Sequence, residues 1–237
     1  MTHAVTPVNP SMNANKSEWR IPVALIALSL VPAMAGTARL LQLAGGAAIT
    51  PENARFFADP LPVLVHIPAV IVFSLLGALQ FSAGLRRRHR GWHRVAGRIL
   101  VPCGLVAALS GLWMTQYYPW PQGDGQLLYV ERLVFGSAMV LSIVMALDAI
   151  RRRDFASHGN WMIRAYAIGL GAGTQVFTHL PWFVFVGGKP SELPRGVMMG
   201  AGWAINVAVA EWIIRRGPSR SRADSRLVRS PSRGGAG

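Results

Sequence analysis

Six stretches of this chain are apolar for long enough to cross a lipid bilayer, and that constrains its fold more than any other feature. They run near residues 21–44, 61–84, 95–117, 127–150, 160–186 and 196–214. A helix rises about 1.5 Å per residue, so about 20 residues cover the hydrocarbon core. No water is available there to bond a free backbone amide, which excludes an open strand. The runs also lack the two-residue alternation of a barrel strand. The sequence therefore predicts an all-α integral membrane protein, a six-span helical bundle over residues 21–215. A polar, loose segment precedes it at 1–20. A basic tail follows at 216–237, rich in Ser, Arg, Gly and Pro, with too little to bury to hold a fold.

Charge is the second constraint. The formal net charge is +14, while only 14% of residues are charged, well under the quarter or so usual in soluble domains. Such a balance points to nucleic acid or to an anionic membrane. The apolar runs decide for the membrane and against nucleic acid. Threading six spans puts Lys16, Arg20, Arg86, Arg87, Arg88, Arg90, Arg94, Arg98, Arg151, Arg152, Arg153, Arg164 and seven arginines from Arg215 to Arg233 on one side. Only Arg55, Lys189 and Arg195 fall on the other. By the positive-inside rule both termini are cytoplasmic, in a bacterial inner membrane. The partner is then the bilayer itself, with Arg86, Arg87, Arg88, Arg94 and Arg98 facing anionic headgroups. The "AMAG" at 33–36 resembles a signal-peptidase site, but the apolar run continues to Ala44, which favours an uncleaved anchor.

Several kinds of chemistry find no support. Cys103 is the single cysteine, so neither an intramolecular disulfide nor covalent haem attachment is possible. No metal site is expected, because zinc wants four convergent ligands and no compact cluster exists. "GLGAG" at 169–173 lies inside a span with no strand before it, so it is not a phosphate loop. Small residues instead predict close helix packing: Gly97, Gly104 and Gly111 on the third span, Gly169, Ala172 and Gly173 on the fifth, Gly196 and Gly200 on the sixth. Pro32, Pro68, Pro102 and Pro181 are expected to kink or break their helices. Trp113, Tyr117, Tyr118, Trp120, Trp182 and Phe185 at one boundary, with Trp19, Trp92, Trp161 and Trp212 at the other, form an interfacial belt.

Ionisable and strongly polar groups inside spans are costly, so each is a functional candidate. Toward one end lie His66, His179, Glu131, Arg132 and Arg39; toward the other lie His89, His93, Arg98, Asp148, His158, Arg164 and Glu211, and Gln80 is a further polar group within a span. Arg164 and Glu211 share a depth at which a pair would relieve two desolvation penalties, although each could instead reach the headgroups. Histidines pair by depth as well, His66 with His179 and His93 with His158. That pattern suits bis-histidine haem b held between helices, with Arg132 or Arg164 neutralising propionates. Plainer roles compete with it: bonding phosphates, capping helices, or, for His66, tying down a buried carbonyl. Within "LRRRHRGWHRVAGRIL" (85–100), residues 85–91 read as a solvated turn and 92–98 as the start of a helix.

"NARFFADPLPVLVHI" (53–67), "GALQF" (77–81), "LRRRHRGWHRVAGR" (85–98) and "HGNWMIRAYAIGLGAGTQ" (158–175) together resemble a family of bacterial polytopic membrane proteins catalogued as a domain of unknown function. The resemblance covers roughly residues 50 to 215. It implies a multi-pass helical bundle and no particular reaction. The positions it carries over are His66, Gln80, His93, Arg94, Gly97, Arg98, His158, Trp161 and Arg164; His179 stands outside the pattern. The arrangement also looks like transmembrane cytochromes b, a likeness of fold alone. The most concrete function to expect is b-haem electron transfer with a redox partner. A small-solute or proton-linked transporter using His66, Arg132, Arg164 and Glu211 is the alternative, and a non-catalytic lipid-binding scaffold a third.

Overall fold

The computed structural model describes residues 10–217, with side chains from Glu18 onward. The tail predicted to be disordered therefore lies almost wholly outside the described residues. The described residues are nearly all helix: α1 (Pro10–Ala44), α2 (Ala54–Ala58), α3 (Leu61–Leu79), α4 (Ala83–Arg88), α5 (Arg90–Tyr117), α6 (Gln126–Arg151), α7 (Phe155–Gly169), α8 (Gly171–Phe185) and α9 (Glu192–Arg216). Five of them, α1 from Glu18 and α3, α5, α6 and α9, are long and apolar enough to cross a membrane. The fifth predicted span is two helices of 15 residues each, α7 and α8, joined at Leu170.

Burial runs opposite to that of a water-soluble protein. Leu41, Ile49, Leu193 and Phe185 are each at least two-thirds exposed. So much contiguous apolar surface is tolerated when lipid covers it. The interior is built from small residues and a few large ones: Phe73, Leu100, Met139, Ile143 and Tyr166, with Ala78, Ala108 and Ala165. Lipid tails are as apolar as the side chains, so close packing and interhelical hydrogen bonds hold such a bundle.

Helix order around the bundle follows from the contacts. α1 packs on α3, α3 on α5, α5 on α6, α6 on α9, α9 on α8, and α8 back on α1. α7 occupies the centre of one half, touching α3, α5, α6 and α9. The step at Leu170 carries the chain from that centre to the rim, where α8 lies between α1 and α9. Arginines crowd the half that holds α7, hereafter the basic end. Glu18 of α1 pairs there with Arg87 of α4.

The break owes nothing to proline. Pro32, Pro68, Pro102 and Pro181 all lie within continuous helices, so the expected breaks are absent there. One of them sits at a close helix contact. Pro32 brings no N–H to the Leu28 carbonyl four residues back. Gly173 lies directly against that oxygen, where only a residue without Cβ fits. At the step itself Asn206 Nδ2 donates to the Ala167 carbonyl at 3.0 Å and its Oδ1 accepts from Thr174 at 2.7 Å. Gly171 backs onto the Trp203 ring. One asparagine on α9 thus stitches both halves of the broken span.

Three local expectations are corrected. Helix α1 begins at Pro10, so much of the predicted loose segment is helical. Residues 85–91 are mostly helix α4, because Ser82 Oγ accepts the Leu85 amide at 3.2 Å and caps it; only His89 interrupts it before α5. In the third-span glycine stripe, Gly104 meets Phe73 and Ile143 and Gly111 meets His66, but Gly97 faces open space.

Candidate functional site: polar clusters at the two ends of the bundle

At the basic end, His93 of α5 and His158 of α7 converge. Arg86 and His158 are both within electrostatic reach of His93, and the Arg86 guanidinium approaches the Gln80 carbonyl at 3.5 Å. His158 Nδ1 bonds the Ala146 carbonyl of α6 at 2.9 Å. A carbonyl only accepts, so Nδ1 carries a proton, and in the neutral ring the lone pair is then on Nε2. Three enclosed side-chain atoms at this end have no partner: His93 Nδ1, Gln80 Oε1 and Gln80 Nε2. Buried polar atoms are rarely left so.

Arg164 lies on α7, six residues past His158, and is fully engaged. Its Nε and Nη2 donate to the two carboxylate oxygens of Glu211 at 2.5 and 3.1 Å. Its guanidinium also covers the Trp161 ring at 4.5 Å. The motif H-x-x-W-M-x-R thus serves two sides of α7, with His158 tied to α6 and Arg164 to α9. Arg86, Arg87, Arg88, Arg94 and Arg98 are all exposed on the outside of this end.

Toward the opposite end, His66 and His179 are not brought together. His66 Nδ1 bonds the Ala107 carbonyl at 3.0 Å and Ser110 Oγ at 2.9 Å, both on α5. Ser110 gives its own proton to the Val106 carbonyl, so both neighbours of Nδ1 accept. This is the carbonyl-tying role weighed for His66. His179 Nδ1 bonds Gln175 of its own helix at 2.7 Å, and its ring stacks on Phe183. A cavity of about 160 Å³ adjoins His66, lined by Ser29, Ser74, Gly169, Leu170 and Gly173 among others, but not by His179. Pockets for organic ligands begin near 300 Å³. A haem held by His66 and His179 does not fit this arrangement. The basic-end pair does fit in donor chemistry, with an imidazole on each of two helices and unpartnered polar atoms at the same end.

Four arginines meet at the far end. Asp124, in the loop between α5 and α6, has a side chain only 2% exposed. It binds Arg132 Nη1 of α6 at 2.5 Å and Arg195 Nε of α9 at 2.8 Å. Arg39 of α1 and Arg55 of α2 lie against the Phe56 ring at 4.7 and 4.6 Å. Arg132 is thus committed to Asp124, and it sits far from the basic-end histidines. Neither it nor Arg164 is free for a propionate. Sequence reasoning missed Asp124 and counted Arg55 and Arg195 only toward topology. The one signal was an acid between two glycines in "PQGDGQ".

Among the described residues no group of three or more His, Cys, Asp or Glu side chains has the arrangement of a metal site. Compared with known proteins, residues 63–214, well over half the chain, match a family model described as "Predicted membrane protein (DUF2306)". No curated protein and no solved structure matches the chain.

Proposed function

The chain belongs to the DUF2306 family of predicted membrane proteins, and we propose that it works in electron transfer, through a b-type haem held at the basic end by His93 and His158. The observation that carries this reading is a histidine on each of two helices within electrostatic reach of one another, with an enclosed, unbonded glutamine amide at the same end. Both histidines and the glutamine belong to the motif positions on which the family resemblance rests. A bound haem supplies one-electron oxidation and reduction. The chain's own part is positional. The Ala146 carbonyl fixes His158 in the tautomer that leaves Nε2 free, as second-shell acceptors do for ligating histidines. Gln80 offers an acceptor and two donors in an otherwise apolar wall. Arg86 brings positive charge suited to acidic substituents.

In this proposal the membrane is the bacterial cytoplasmic one and the basic end faces the cytoplasm. Its exposed arginines lie among anionic headgroups, and the redox partner approaches from that side. Transport draws no comparable support. Arg132, Arg164 and Glu211 are already paired and His66 is bonded to α5.

The test is an absorption spectrum of the full chain, purified in mild detergent from haem-replete cells, oxidised and then reduced with dithionite. The expected result is a Soret band lost in His93→Ala and His158→Ala and retained in His66→Ala and His179→Ala. A colourless preparation with native near-ultraviolet circular dichroism sinks the proposal.

A further inference from the structure

We propose that the four arginines at the far end form a binding site for a phosphate-bearing group. They come from four helices, α1, α2, α6 and α9, and their charges are not balanced. Asp124 lies between Arg132 and Arg195 at ion-pair distance, with its Oδ2 hydrogen-bonded to Arg132 and its Oδ1 facing Arg195 without a hydrogen bond. Arg39 and Arg55 have no carboxylate within 4.0 Å among the described residues. The other acids at this end are otherwise placed. Glu52 pairs with Lys189, Glu131 lies against Gly200 within electrostatic reach of Arg132 but forms no ion pair with it, and Glu192 lies against Gly125. Asp59 is exposed. Of all these carboxylates, Asp124 alone is felt at Arg55, against the three other guanidiniums.

Arg55 is the arginine of this group least satisfied by the protein itself. It is half buried, its Nε is enclosed without a partner, and its single hydrogen bond, to the Pro119 carbonyl, is stretched to 3.5 Å. Burial, reinforced by the neighbouring arginines and opposed by Asp124, pushes its guanidinium below the ordinary arginine range. An oxyanion placed here reverses each of these penalties. Phosphate suits the site better than carboxylate. With more oxygens than the two of a carboxylate, it can accept from more guanidinium forks at once. The setting agrees: Trp113, Tyr117 and Trp120 at the adjoining end of α5 are exposed, as in a headgroup-level belt. The phosphate can come from a phospholipid or from a soluble compound.

The experiment uses the full chain in detergent, stripped of lipid, and reads its melting temperature. One arm adds inorganic phosphate against chloride at equal ionic strength. The other adds micelles doped with phosphatidylglycerol against a phosphate-free glycolipid. Stabilisation by inorganic phosphate assigns a soluble ligand, and stabilisation by phosphatidylglycerol alone assigns a lipid. In either case Arg55→Gln and Arg39→Gln, which break no ion pair, weaken the response about tenfold or more. Arg87→Gln, at the basic end, leaves it intact. The proposal is overturned if neither probe stabilises the native chain, or if Arg55→Gln and Arg39→Gln respond as the native chain does.

Discussion

Replacing Gly104 with alanine places a methyl group where three helices meet. A Cβ there lies 2.7 Å from Phe73 Cε2 on α3 and 2.8 Å from Ile143 Cδ1 on α6. Carbon atoms in contact sit at about 3.5–4.0 Å, so one neighbour must retreat by roughly 1 Å. Neither can do so freely, since Phe73 is 2% exposed and Ile143 is fully enclosed. Overpacking of this kind costs about 1–3 kcal/mol. Alanine also gains about 1 kcal/mol over glycine in helix propensity, so the single variant understates the clash. Gly97→Ala supplies the control, one glycine earlier on the same helix with nothing within 4 Å of its Cβ. The propensity gain is common to both and cancels in the difference. Gly104→Ala should therefore be less stable than Gly97→Ala by about 2 kcal/mol. Reversible unfolding in mixed micelles, followed by tryptophan fluorescence, measures it. Equal stability of the two variants would refute the packing argument, as would a loss in Gly97→Ala.

Two further outcomes are expected. Arg164→Gln or Glu211→Gln alone strands its partner and should cost about 1–3 kcal/mol, while the double variant recovers part of the loss; strict additivity in the same unfolding assay would show that the two side chains are not coupled. On a Cys103→Ser background, a membrane-impermeant maleimide added to intact cells should label Gln122→Cys at the far end and leave Ala156→Cys at the basic end unlabelled until lysis, and the reverse pattern would invert the proposed orientation.

The helices were legible because apolar length is a one-dimensional property, and so is depth. Arg164 and Glu211 meet because they share a depth and also happen to face each other. His66 and His179 share a depth and do not meet, because which way a helix face turns depends on its neighbours. α8 packs on α1 and α9, while His66 points at α5. The same limit hid the idle Gly97 in a regular stripe. The break at Leu170 was written in "GLGAG", but small residues signal close packing as readily as an interruption, and the prolines that usually mark one are here accommodated. The far-end cluster was least legible. Its arginines lie between positions 39 and 195, and the acid that organises them sits in a loop with no pattern around it.

The stitch across α7 and α8 carries a consequence for how the protein is made. Both of its anchors, Asn206 and Glu211, lie on the last helix. While the ribosome has yet to deliver α9, the Ala167 carbonyl lacks its amide and Arg164 its carboxylate. Until α9 joins the bundle, the central helix carries two groups without their partners. Closure of the middle of the bundle therefore depends on α9 more than on any other helix.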